Sequence, residues 1–188
     1  MLKKGVERSQ VLRALGEVFR THGYEGASLT LITEATGLGK GSLYNLFPHG
    51  KEQMAAEVLA DIDAWFELNI YVPLREATDP ARGIAAMIAG VEQYFRSGDR
   101  VCLVGLVALG SARDTFAEAV DSYFARWQAA LAQLLRRSGL SKSQSQRRAE
   151  DALLTIQGAL VLARARNDSG IFRRALSDLA ARLLAPPD

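Results

Sequence analysis

This 188-residue chain predicts an all-α fold, and three observations carry that expectation. Hairpin signals of the Asn-Gly or Asp-Gly type are absent, and no stretch sustains a two-residue alternation of apolar and polar side chains. Apolar residues recur instead at helical spacing. Between Ala81 and Ala185 there is no proline, which suits long uninterrupted helices.

Taken in order, Val11, Leu12, Leu15, Val18 and Phe19 form one apolar stripe, and Gly23 is placed to end that helix. Two short helices follow within residues 28–47. Met54, Val58, Ile62 and Trp65/Phe66 repeat the pattern over about Lys51–Ile70, and Pro73 and Pro80 bracket a connector. Further helices are expected near Ala81–Ser97, Val101–Ser111, Thr115–Ser138, Lys142–Arg166 and Ile171–Leu184, about nine helices in all. Val101–Leu109 also fits a short buried strand, but a lone strand has nothing to pair with, so a buried helix is expected. Pro186 and Pro187 end the last helix.

Composition removes several function classes. One cysteine, Cys102, excludes an internal disulfide framework and a multi-cysteine metal site; His22 and His49 alone make a histidine metal cluster implausible, so no metal and no cofactor are expected. Val101–Leu109 is the longest apolar run, half of what a bilayer requires, and Arg8, Arg13 and Glu17 interrupt any signal-peptide core. A soluble, cytoplasmic protein without membrane contact is expected. The net charge is +2, unevenly spread: residues 1–51 carry seven Lys/Arg against four acids, and the remainder sixteen against seventeen. A polyanion partner is therefore to be sought at the N-terminal end.

Residues 28–51 read SLTLITEATGLGKGSLYNLFPHGK. Ser28 is a good N-cap, and a helix over 29–36 turns Leu31, Ile32 and Ala35 inward and Thr30, Thr33 and Glu34 outward. Gly37 suits the left-handed residue that ends a helix, with Leu38 plugging the corner. A second helix from about Lys40 to Phe47 buries Leu43, Leu46 and Phe47 and presents Gly41, Ser42, Tyr44 and Asn45. Together they make a helix-turn-helix. A helix entering the major groove must be slim and polar near its N-terminus, which Gly41 and Ser42 provide. Asn45 has the paired donor and acceptor that match the N6/N7 edge of adenine. Tyr44 and Thr30 offer hydroxyls to phosphate oxygens, and Lys40 and Lys51 offer charge, with Lys51 opening a helix whose free N–H groups attract anions. GLGKGS does not make a nucleotide-binding P-loop, since Lys40 is followed by Gly41 and the upstream glycine is misplaced. Lys3, Lys4 and Arg8 are either a backbone-contacting arm or a solvated terminus, and His49 beside Pro48 reads as solvent-facing.

Over about residues 7–60 the chain resembles the DNA-binding domain of the TetR family of bacterial transcriptional regulators. The resemblance rests on the Phe19, Gly23, Tyr24 corner, the Ser/Thr-rich helix with its glycine, the stretch GKGSLYNLF, and Lys51-Glu52 opening the next helix. The three residues between Phe47 and Lys51 look like a sub-branch with an FPxGKE corner. The resemblance implies a homodimer with a DNA-binding domain over 1–50 and a ligand-binding and dimerisation domain over 51–188. It implies a repressor released from a palindromic DNA operator by a small apolar or aromatic inducer. Lys40, Ser42, Tyr44, Asn45 and Lys51 match family positions that touch DNA, and Thr30 matches one that often does.

Beyond that stretch the reading is coarser. The aromatic population at helical spacing is core by default, but some members are expected to line a pocket between helices. The candidates are Ile62, Trp65, Phe66, Phe95, Cys102, Phe116, Tyr123 and Trp127. Cys102 reads as a small buried hydrophobe before a redox sensor. The last two helices carry Gly158 and Ala159 with Leu162, then Leu176, Leu179 and Leu183, either packed within the chain or, preferably, forming a dimer seam, because reading a palindrome needs a twofold partner. An enzyme finds no nucleophile–base motif here, and a purely structural bundle leaves the slim recognition helix unexplained.

Overall fold

The computed structural model describes residues 7–185; Lys3 and Lys4 of the expected arm, and Pro186 and Pro187, lie outside them. Among the described residues every regular element is helical. The helices are α1 (Arg8–Gly26), α2 (Leu29–Thr36), α3 (Lys40–Leu46), α4 (Gly50–Phe66), α5 (Val72–Glu76), α6 (Pro80–Tyr94), α7 (Leu103–Leu109), α8 (Ala117–Arg137), α9 (Lys142–Arg166) and α10 (Gly170–Leu184). A π-helical stretch, Glu67–Tyr71, joins α4 to α5 without a break, so the described chain runs as nine separate helices.

That join corrects one expectation. Pro73 does not open a connector; it sits in the first turn of α5. In a helix that runs on unbroken, Pro73 removes one N–H donor, and the π-helical stretch lies directly before it, where the helical bonding pattern is widened. The connector is only Ala77–Asp79, after which the Asp79 side chain accepts the Ala81 N–H and starts α6. At the other end of the chain, Ser141 and Gln144 form a reciprocal capping box at the start of α9, and Asn167 ends α9 in the left-handed conformation at φ 49°. Val101–Leu109 is helical as expected from Leu103 onward, but Leu109 is exposed rather than buried.

Two compact units are present. The first runs to Asp63 and takes in Leu103–Val120; the second comprises Ala64–Cys102 and the chain from Asp121 onward. The functional division expected after residue 50 is thus not the line along which the chain packs, because most of α4 and all of α7 belong with the N-terminal helices. In the first unit α1 packs against α2 and α7, and Leu15, Phe19, Ile32, Leu43 and Phe47 form its centre. Full burial of each such side chain stabilises by about 1.5–3 kcal/mol. The second unit is built on α9 against α10, α10 against α6, and a group of buried rings centred on Phe66.

Candidate nucleic-acid interface

The helix-turn-helix is assembled from local hydrogen bonds that the sequence dictates. The Ser28 hydroxyl accepts the Leu31 N–H at 3.3 Å and starts α2. Gly37 takes φ 67° and donates its N–H to the Thr33 carbonyl at 2.9 Å, a conformation that costs glycine little. Thr36 Oγ1 donates to the Ile32 carbonyl at 2.7 Å and accepts the Leu38 N–H at 3.3 Å, so the corner is tied from both sides while Leu38 is buried beneath it. In α2, Ile32 alone is fully buried; Leu31 is half-buried, and Ala35, expected inward, is exposed. A helix of eight residues packs along one line of contact, and Ile32 occupies it.

Helix α3 buries Leu43 and is closed by buried Phe47, with Leu46 half-buried. Its other face is open: Lys40, Gly41, Tyr44 and Asn45 are exposed, Tyr44 to 51%, and Ser42 is half-buried. Gly41 decides how this face is read. A Cβ built there meets nothing within 4 Å, and its backbone has no positive φ. Among the described residues nothing crowds position 41, so the absence of a side chain there leaves the outer face of α3 slim. Thr30, exposed on α2, adds its hydroxyl to the same unit.

Three side chains, Lys51, Arg8 and Gln53, fasten this unit around α3, and the sequence reading missed their contacts. Lys51 is half-buried: its Nζ donates to the Glu25 carbonyl at 3.3 Å and lies 4.6 Å from the Tyr24 ring centroid. Arg8 is no frayed terminus; its Nε donates to Glu57 at 3.2 Å and its guanidinium lies 4.8 Å from the Phe47 ring centroid. The Gln53 side chain accepts the His49 N–H at 3.0 Å, closing the first turn of α4, while His49 itself is exposed as expected. Tyr24, held between Lys51 and an edge contact with Phe116 at 5.4 Å, has its phenol pushed up by burial and then by the nearby carboxylates Glu52 and Glu25.

Two family descriptions match this chain: "Bacterial regulatory proteins, tetR family" over residues 11–58, and "Transcriptional regulator LmrA/YxaF-like, C-terminal domain" over residues 80–177. The HTH-type transcriptional regulator LmrA of Bacillus subtilis is 30% identical over 162 residues, covering 84% of this chain and 86% of that protein. The chain belongs to the TetR family. A second relative from the same organism, the regulator YxaF, is 25% identical and covers 89% of this chain and 90% of its own length. Among solved structures, a TetR regulator from Legionella pneumophila superposes with a TM-score of 0.83 at 17% identity, over 97% of this chain and 99% of that one. A cysteine mutant of the TetR-family regulator CifR, complexed with 26-bp operator DNA, superposes at 0.76 with 25% identity, over 98% and 100%. The family consists of DNA-binding transcriptional regulators and not enzymes, so the enzyme alternative falls.

In this TetR-family chain the expected pocket residues are distributed over both compact units. Ile62 and Phe116 are buried in the first unit, Phe116 against Tyr24. Trp65, Phe66, Phe95, Cys102, Tyr123 and Trp127 belong to the second. There Phe66 is the hub, with its centroid 4.8 Å from Tyr94 and Tyr123 and 5.2 Å from Trp127. Tyr71 donates its hydroxyl to the Tyr123 carbonyl at 3.0 Å. Burial, with the Cys102 thiol alongside, pushes the Tyr123 phenol well above its ordinary range. Trp127 is fully buried, yet its Nε1–H finds no hydrogen-bond partner among the described residues. Buried donors of this kind are rare enough to need an explanation.

The expected seam is also redistributed. Ala159, Leu176, Leu179 and Leu183 are buried where α9 packs on α10, so these four residues pack within the chain. Leu162 stays exposed, and a Cβ at Gly158 meets nothing within 4 Å. Leu154 at 65% and Val161 at 62% join them, an unpartnered apolar stripe at helical spacing i, i+4, i+7 and i+8. Leu154 and Val161 went unnoticed because α9 is apolar on more than one face, so periodicity alone does not say which face looks out. Among the described residues no helix is long and apolar enough to cross a membrane.

Proposed function

We propose that this chain is a cytoplasmic, ligand-responsive repressor that binds a palindromic operator as a homodimer and is released by a small apolar or aromatic inducer. The observation that carries the DNA reading is the open, side-chain-free position of Gly41 beside exposed Tyr44 and Asn45. On this reading residues 1–50 supply the operator contacts. Asn45 reads a base edge, Lys40, Ser42, Tyr44 and Thr30 meet the backbone, and Gly41 lets α3 approach. Lys51 serves phosphate and fold together, because its ammonium already straps the first turn of α4 to Glu25. That the complex of CifR is with operator DNA supports the same partner for this chain.

Residues 51–188 supply ligand binding and dimerisation. The stripe Leu154, Gly158, Val161 and Leu162 is the twofold contact, since exposed apolar area of this kind is relieved by a second copy. Two recognition helices then meet successive major grooves about 34–36 Å apart. The inducer enters among the rings around Phe66 and accepts a hydrogen bond from Trp127 Nε1, a buried donor without a partner among the described residues. It acts by preferring a dimer of different spacing, a coupling of about 1–3 kcal/mol.

The test is fluorescence anisotropy with the DNA upstream of its own gene, in parallel with scrambled DNA. Nanomolar, sequence-selective binding with one dimer per site is the expected result; equal binding to both DNAs removes the operator reading. Both tryptophans, Trp65 and Trp127, lie in the second unit, so inducer candidates are screened by their emission.

A further inference from the structure

We infer that the first compact unit holds a second ligand site, a cavity between the C-terminal turn of α1 and α7 that takes a neutral, phenol-sized aromatic alcohol and thereby weakens DNA binding. The cavity measures about 180 Å³. Phe19, Leu103, Leu106 and Val107 give it apolar walls, and at Gly23 and Gly110 the wall has no side chain. A closed apolar cavity of roughly 150 Å³ takes benzene; this one is comparable in volume but open at its polar edge, with room for one ring inside and a hydroxyl at the opening. His22, Glu25 and Ser111 stand at its edge.

The edge selects the ligand. Glu25 Oε1 accepts the Ser111 hydroxyl at 2.9 Å, and the second carboxylate oxygen remains an acceptor for a ligand O–H. A carboxylate at the edge disfavours anions, and apolar walls disfavour charge of either sign. A neutral ring carrying one hydroxyl satisfies both conditions. None of the residues involved belongs to the ring cluster around Phe66, so this site is separate from the inducer site proposed above.

The cavity borders the strap that holds α4. At Gly23 the backbone leaves helical geometry, φ 69° and ψ 172°, and a Cβ there would meet nothing within 4 Å. The next two residues carry Lys51: its ammonium lies on the Tyr24 ring and bonds the Glu25 carbonyl. A ring wedged against residues 23–25 therefore moves the anchor of the first turn of α4, which follows α3 after only Phe47–His49. Its effect on DNA is reciprocal: whatever phenol does to DNA affinity, DNA does to phenol affinity. This link to DNA rests on the repressor reading; the site itself does not.

The experiment titrates phenol into the full-length protein with isotope-labelled Leu and Val methyl groups, and separately measures DNA affinity with and without saturating phenol. Saturable shifts at Leu103, Leu106 and Val107, together with at least about a fivefold loss of DNA affinity, are expected. Leu106→Trp fills the space and should abolish the saturable phenol response, and because its indole wedges against the same residues, DNA affinity without phenol should fall toward the phenol-saturated value. Leu106→Ala widens it and should raise affinity for 2-naphthol relative to phenol at least fivefold. Shifts confined to methyl groups of the second unit, no saturable shift, or an unchanged ligand ranking in Leu106→Ala would each overturn the site. Methyl shifts at the site with unchanged DNA affinity overturn its coupling to DNA. If no DNA is bound at all, the repressor reading fails, while the methyl titration still decides the site.

Discussion

Helices α3 and α9 contrast in how a helix declares its outward face. Helix α3 has seven residues and one buried anchor, Leu43, so its remaining positions are exposed or half-buried and their chemistry is what a partner meets. Helix α9 has 25 residues, with Ala152, Leu153, Ile156, Ala159, Leu160 and Ala163 buried on one side and Leu154, Val161 and Leu162 exposed on another. A short helix with a single apolar line reveals its surface through its polar residues. A long helix with a stretch that is apolar on more than one face, as α9 is from Ala152 to Ala163, conceals which face is surface until its neighbours are placed.

The sharpest break of this contrast is Leu162→Glu. A carboxylate on the exposed stripe should leave the fold intact and separate the dimer, with operator affinity falling on the order of 100-fold or more as the two half-sites lose their link. Sedimentation combined with anisotropy reads it; a wild-type monomer, or a Leu162→Glu dimer, removes the stripe as the twofold contact. Leu176→Ala probes the opposite face. It empties a buried position in α10 and should cost about 2–5 kcal/mol in chemical denaturation, with dimer dissociation unaltered below the transition. On α3, Asn45→Ala should cost about 1–3 kcal/mol against the operator and far less against scrambled DNA, as judged by competition binding. An equal loss on both DNAs would assign Asn45 to the backbone instead.

Lys51→Ala separates two roles in one side chain. Loss of its contact over Tyr24 should lower stability by about 0.5–1 kcal/mol. Loss of a phosphate contact should reduce the salt slope of DNA binding by about one unit. A stability change with an unaltered slope makes Lys51 a strap only. The smallest effect is expected at Glu67, whose carboxylate receives Arg75 and Arg126 and titrates below its ordinary value, first through the Arg75 hydrogen bond. A lowered pKa means that this stabilisation is complete above the ordinary carboxylate range and is lost as pH falls through the folded value. Thermal melts of wild type and Glu67→Gln should therefore converge in acid and differ at neutral pH.

Much of the helix-turn-helix was legible in the sequence because it is local chemistry. Ser28 caps, Gly37 turns left-handed, Leu43 points in, and Tyr44 and Asn45 point out; each follows from residues within one turn of helix. Arg8 with Glu57 spans 49 positions and Ser111 with Glu25 spans 86, and no periodicity signals such pairs. Pro73 misled for a related reason. A proline usually marks a break, and only the π turn before it shows that the helix continues.

By itself the amino-acid order determined the helical class, the helix-turn-helix and its outward residues, since capping, turn and amphipathic preferences act over three or four positions. Tertiary packing alone decided that Leu103–Val120 joins the N-terminal helices, that Ile62 and Phe116 are buried in the first unit, and that Leu154 and Val161 face out while Leu176 and Leu179 face in. Burial on a helix with several apolar faces is a competition among neighbours from distant parts of the chain, and its outcome is set by which surfaces fit together.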